Sequence, residues 1–312
     1  AWRDRVEVAR RSGHAGDILV LAEETPTWVL RSEALRMAGG ALIKLRQYKL
    51  ALEQYQKAFA LDVKDRNSQL KIGMLLGRLH RHAEAREWVN NVIEKYPDGA
   101  EGHALVGRVE KEEWITRWRT SGNTPAQFLE RAKTEGALLE AAIEPYTKAF
   151  LLDPSHFYSG INALTLRHLQ RHLGCEAETG MDIEVLAGGV TWACRSALLK
   201  SPKDYWARAT QADLRLLIDD QENVVKAYRN AIAVADADWF VLDSSRQQLC
   251  VLRDLGFRSD VVAAAIAVFD QELARLTPQW QPKRVFLFSG HMIDKPDRAE
   301  ARFPPAMEPL VK

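Results

Sequence analysis

An all-α solenoid of stacked antiparallel helix pairs is the fold that this 312-residue sequence predicts. The first observation is a repeated pattern. It runs from Ser32 to Val63 and again from Arg66 to Pro97, with Gly39 over Gly73, Ala51 over Ala85, Ala58 over Val92 and Val63 over Pro97, each pair 34 residues apart. The second observation is periodicity within each copy: Leu35, Leu42, Tyr55, Ala58 and Leu61 recur at helical spacing, while Ala38, Gly39 and Ala51 are small enough for two helices to approach closely. One such hairpin cannot bury both of its faces, so neighbours must stack on it. Composition agrees, since 46% apolar and 27% charged residues are ordinary for a soluble chain with a sizeable core.

Taken in order, residues 2–24 carry Val6, Ala9, Ile18, Leu19, Leu21 and Ala22 around a Ser12-Gly13-His14 break and read as a first hairpin. The two matched repeats follow. A fourth unit opens with Gly107 one period after Gly73, yet its second half, EAAIEPYTKAFLLDP, arrives 23 residues late, which places an insertion at about residues 113–137. Thr124-Pro125 marks a helix start inside it, with Phe128, Leu129, Ala132 and Leu138 as the apolar face. The insertion reads either as a lengthened hairpin or as a partner-specific projection bearing Trp114 and Trp118.

Further pairs are expected at 155–173 with 182–200, 204–218 with 221–235, and 239–255 with 259–276. The helical domain is thus 1–276. Thr277-Pro278 and Gln281-Pro282 then read as a linker over 277–283. From 284 to 312 the pattern changes, because Val285, Phe286, Leu287 and Phe288 form a short, wholly apolar run before Ser289-Gly290, as in a buried strand of a parallel sheet. The expectation is a truncated α/β domain beginning at 284.

The repeat resembles the tetratricopeptide repeat in its 34-residue period, its Gly and Ala packing positions, the aromatic in its second helix and its Asp or Pro exits at Asp62, Pro97 and Asp153-Pro154. It departs from that family where Leu35 and Gln69 stand in place of an early Trp. Two further segments, HFYSGINALTL and RVFLFSGHMID, resemble parts of bacterial tetratricopeptide signalling proteins. The helical region of those proteins is similar to the TRAF-binding central regulatory region of apoptosis signal-regulating kinases. In the bacterial relatives the second segment opens a Rossmann-like sensor domain, so the resemblance implies a regulatory module beside a domain that senses nucleotides.

The first helix of each pair lines the concave face, and its outward positions give Arg36, Lys44, Lys71, Arg78, Arg108 and Lys111, with Glu33 and Glu112 among them. This excess of cations favours an acidic peptide or a chain-terminal carboxylate. A chaperone-tail carboxylate clamp is not expected, because Gly40 and Met74 stand where its asparagines would fall. His168, His172 and Cys175 share a face at a spacing compatible with Zn²⁺, with a fourth ligand to come from Glu176 or elsewhere, but no second Cys/His pair is visible and ordinary packing at a helix C-terminus is the expectation. His80 and His82 flank Arg81 in a turn and are expected to be solvated. After the strand-like run, Ser289, Gly290, His291 and Asp294 are candidate ligand contacts, since α/β domains bind ligands at such turns.

The net charge of +1 gives no general attraction to nucleic acid or anionic lipid. Cys175, Cys194 and Cys250 lack paired spacing, as in a reducing compartment, and no apolar run approaches the roughly 18 residues of a membrane span. The chain also begins AWRDR, with no initiator Met and no signal-peptide apolar region, and the expectation is a piece of a longer cytoplasmic protein. Its expected role is that of a non-enzymatic protein–protein interaction scaffold without cofactor or metal, which binds a peptide or its own effector domain. The alternative is the regulatory half of a nucleotide-sensing protein or enzyme. Self-assembly through Trp88, Trp114 and Trp118 is a third possibility.

Overall fold

The computed structural model describes residues 2–24, 28–120, 124–175 and 182–280, and beyond these only 293–295 and 300–301. The chain divides into one unit over Ala1–Trp280 and a second over Gln281–Lys312. Among the described residues the first unit is wholly helical. It holds α1 (Trp2–Arg11), α2 (Ala15–Glu23), α3 (Trp28–Lys44), α4 (Tyr48–Leu61), α5 (Arg66–Arg78), α6 (His82–Lys95), α7 (Ala100–Trp118), α8 (Pro125–Thr134), α9 (Gly136–Leu152), α10 (Phe157–Leu173), α11 (Ile183–Lys200), α12 (Tyr205–Ile218), α13 (Gln221–Ile232), α14 (Trp239–Asp254) and α15 (Ser259–Trp280). Seven hairpins stack in sequence, with α7 and α9 forming the fourth around the inserted α8. This is a tetratricopeptide-type α-solenoid.

Close approach within each hairpin explains the period. A methyl group on Gly39 would meet the Tyr55 ring at 2.6 Å, and one on Gly73 would meet Val89 at 2.6 Å. Gly107 and Gly160 are pressed in the same way by Tyr146 and Val190. The first helices α3, α5, α7 and α10 thus each offer a bare backbone patch on which one side chain of the partner helix sits. The turns repeat as well. Gln47 N–H donates to Leu42 and Arg81 N–H to Leu76 at 2.9 and 3.0 Å, a Schellman closure, with Arg46 and His80 left-handed at φ 58° and 59°. The next turn is due at residue 114, one period on.

Instead α7 continues, because Trp114 and Trp118 belong to the core. Both are fully buried, and their rings meet edge to face at 5.6 Å. α8 covers them: Phe128 packs on Trp118 at 5.6 Å, and Trp114 Nε1 donates to the Ala132 carbonyl at 3.2 Å. A capping box at Thr124 and Gln127 starts this helix. The two tryptophans are therefore no projecting surface; two large apolar rings are driven inward and the extra helix seals them. Trp88 is likewise engaged, donating from Nε1 to the Gln69 carbonyl at 2.8 Å.

The core is continuous along the stack. Val109 of α7 joins the apolar cluster of the first three hairpins, while Ala104, Trp114 and Trp118 of the same helix join that of the later ones. α15 extends to Trp280, past Leu276 where the sequence places the end of the helical domain.

In the second unit the described residues form a short antiparallel pair, β1 (Ile293–Lys295) with β2 (Glu300–Ala301). The strand expected at Val285–Phe288 lies outside the described residues.

Candidate functional site

The inner face is not a free groove along its length, because α14 bridges it. Asp238, which caps α14 by accepting from Phe240 N–H at 3.0 Å, also receives Lys44 Nζ at 3.0 Å across 194 residues of sequence. Arg46 pairs with Asp243 of α14 and stacks over Trp239 at 5.0 Å. At the other end of α14, Arg119 pairs with Asp254, and His172 Nε2 lies 2.9 Å from the Leu255 carbonyl. Midway, Lys111 Nζ donates to Asn162 Oδ1 at 2.6 Å and to Gln248 Oε1 at 3.2 Å, and sits 5.8 Å from the centre of the Tyr146 ring. The last hairpin therefore closes back onto α3, α7 and α10.

This closure sorts the six predicted groove cations. Arg36 is spent between hairpins, its Nη1 donating to Asp65 Oδ2 at 2.8 Å. Lys44 is spent on α14. Lys111 is sealed, and burial pushes its ammonium down to about 8, with the Arg108 charge adding to the effect. Lys71, Arg78 and Arg108 remain together. Arg78 Nη1 donates to Tyr48 Oη at 3.1 Å with its guanidinium over that ring at 5.3 Å, and it reaches Glu112 only at 4.0 Å. Arg108 Nε donates to Glu112 Oε1 at 3.1 Å. Lys71 makes no ion pair among the described residues.

Electrostatics shows the three to be crowded. Burial lowers the pKa of Lys71 and of Arg78, and Arg108 lowers both further. For Arg108 burial also opposes the charge, but Tyr158, Glu112 and Tyr146 more than offset it, so its pKa is raised. The rim is polar and aromatic: Tyr146 Oη and Tyr158 Oη are 3.4 Å apart, and His156 Nε2 lies 2.8 Å from Glu101, a contact that lowers the pKa of that carboxyl. Three cations thus face two carboxylates, Glu112 and Glu101, with Glu101 already engaged by His156. The arrangement can accept a further carboxylate or phosphate oxygen.

Sequence reasoning did not single out Tyr48, Tyr158, His156 or Glu101, because a rim residue is identified by what folds against it. Tyr158 does stand inside the HFYSGINALTL segment. Glu33, expected in the groove, pairs with Arg3 of α1.

His80 is exposed, but His82 is half-buried with both ring nitrogens lacking a hydrogen bond, and burial lowers its pKa. The left-handed turn at His80 also brings the two rings into edge contact at 5.8 Å, so they are not both solvated. His172 packs against Phe257 at 5.5 Å, and burial lowers the pKa of His168. Among the described residues no group of three His, Cys, Asp or Glu side chains could hold a metal ion. Ser289, Gly290 and His291 lie outside the described residues, and Asp294 is within β1. An open groove of about 800 Å³ runs between α13 and α15, where Glu272 and Arg275 of its lining pair with each other. No helix described is long and apolar enough to cross a membrane.

The fold defines a tetratricopeptide-type repeat protein. Residues 47–167, well under half of the chain, match the family described as Tetratricopeptide Repeats-Sensor. No curated protein matches the chain. Among solved structures it is similar to a thermophilic tetratricopeptide protein of Thermus thermophilus, at 16% identity and TM-score 0.46, over 75% of this chain and 98% of that one. It is also similar to MamA of Desulfovibrio magneticus, at 18% identity and TM-score 0.39 over 64% and 95%, and to a tetratricopeptide repeat protein of Parabacteroides merdae, at 10% and 0.39 over 86% and 96%.

Proposed function

We infer that this is a non-enzymatic interaction module that receives an acidic protein segment, from a partner or from its own neighbouring domain, at Lys71, Arg78 and Arg108. The observation that carries the reading is the convergence of these three cations on the inner helices, with Lys71 unpaired among the described residues and the buried Arg78 Nε lacking a hydrogen bond. A ligand carboxylate would supply the missing acceptor in a partly desolvated site, where charge-assisted hydrogen bonds are strongest. The bridging by α14 shortens the contact to this central cluster, so a segment with one or two adjacent carboxylates fits better than a long acidic strand.

Calorimetry with a hexaglutamate peptide tests it. Binding that weakens with added salt and falls at least tenfold in Lys71→Glu is expected, with none to hexalysine; Lys71 is partly exposed, so that variant folds. Unchanged affinity in Lys71→Glu, or no binding by the folded protein, would refute the assignment.

The word Sensor in the family's description favours a second reading, in which the chain regulates a nucleotide-responsive partner domain through contacts at Ser289, Gly290, His291 and Asp294. The segment RVFLFSGHMID supports it by resemblance alone. A chain extended past Lys312 and titrated with nucleotides decides the matter: no heat from the folded extended protein removes this reading. Either reading makes the chain a regulatory module of a cytoplasmic signalling protein.

A further inference from the structure

The outward side of α11 carries an apolar stripe that the fold itself does not use. Leu186, Val190, Ala193 and Cys194 bury the inner face of this helix, while Val185, Trp192 and Leu199 stand 65%, 75% and 86% exposed on the other. They are spaced seven residues apart, so they form one line along the helix, with Gly188 between the first two. A methyl group on Gly188 would touch nothing, so this glycine has no packing reason within its own chain. Exposed Trp and Leu in register are a recognised mark of an interface.

The charges beside the stripe identify the occupant. Glu184 stands at one end, Lys200 at the other, and neither makes an ion pair among the described residues. An antiparallel copy of the same helix, related by a two-fold axis through Trp192, sets Glu184 opposite the copy's Lys200 and Val185 opposite its Leu199, twice over. Trp192 then meets its own counterpart on the axis. Gly188 falls opposite Ser196, and these two small residues leave room for the indole rings. We propose that α11 is a homodimerisation helix that pairs antiparallel with α11 of a second copy through Val185, Trp192 and Leu199.

The pairing does not depend on the acidic-segment reading, since α11 carries none of Lys71, Arg78 and Arg108. It also replaces the self-assembly surface expected from Trp114 and Trp118, which are buried.

Sedimentation velocity over a concentration series tests the proposal. The wild-type protein is expected to shift from monomer to dimer as concentration rises, and Trp192→Glu to remain monomeric with an unchanged thermal melt. Glu184→Lys alone and Lys200→Glu alone should each weaken association by about tenfold, and the two together should restore it. A wild-type monomer throughout the series overturns the proposal, as does a dimer that survives Trp192→Glu. Failure of the double variant to recover dimerisation overturns the antiparallel register.

Discussion

Replacing Lys111 by Met should flatten part of the pH dependence of stability. The residue is 8% exposed, and its pKa is pushed down to about 8 from the ordinary 10.5, first by burial and then by Arg108. A base whose folded pKa is depressed binds fewer protons in the folded than in the unfolded protein between those values. Stability therefore rises with pH across that window, by up to about 1.4 kcal/mol per pH unit and about 3 kcal/mol in total. Below pH 8 the full cost of the buried charge is present. Methionine has a similar length and no charge, but it leaves Asn162 and Gln248 without their donor, at roughly 1–3 kcal/mol for each group that stays dry. Near pH 7 the two effects oppose, so the absolute stability of the variant discriminates poorly. The difference profile does not: unfolding free energies of wild type and Lys111→Met from urea titrations at pH 7 to 10.5 should move apart by about 3 kcal/mol in favour of wild type as pH rises. Taking the difference also cancels Cys194, whose thiol burial pushes up to about 12 and which contributes with the opposite sign in both proteins. Parallel profiles would show that Lys111 is neither desolvated nor bound beneath α14.

Asp213 provides the acid counterpart. Burial raises its carboxyl to about 6 from 3.8, against the 2.6 Å hydrogen bond from Tyr228 Oη, so stability should fall as pH rises from 4 to 6, and Asp213→Asn should remove that fall in thermal melts. The glycines give opposite signs from one substitution. Gly107→Ala sets a methyl 2.7 Å from the Tyr146 ring and 3.0 Å from the Ala142 carbonyl and should cost about 1–3 kcal/mol, whereas Gly188→Ala, with nothing within 4 Å, should gain up to about 1 kcal/mol, both by denaturant titration at concentrations that keep the chain monomeric. Equal effects at the two sites would mean that the glycines do not set hairpin spacing.

The local order of this protein is legible residue by residue along the chain. A bare backbone patch at Gly39, Gly73 and Gly107 and a left-handed turn at Arg46 and His80 are each decided within one hairpin, so they recur 34 residues apart, and the Asp caps of α5, α12, α13 and α14 are local signals of the same kind without that spacing. The helical class and the position of the break after Gly107 were legible for that reason. What the break accomplishes was not, since the burial of Trp114 and Trp118 depends on α8 folding back over them.

Only the tertiary structure decided which groove cations are available. Six basic residues on successive first helices read alike, yet Arg36 is used by Asp65, Lys44 by Asp238 and Lys111 by Asn162 and Gln248. The physical reason is curvature. Each hairpin adds a small rotation relative to the last, and the sum over seven hairpins carries α14 onto α3 and α7, joining residues 194 and 137 positions apart. No local pattern encodes that sum, and it leaves Lys71, Arg78 and Arg108 outside those long-range contacts.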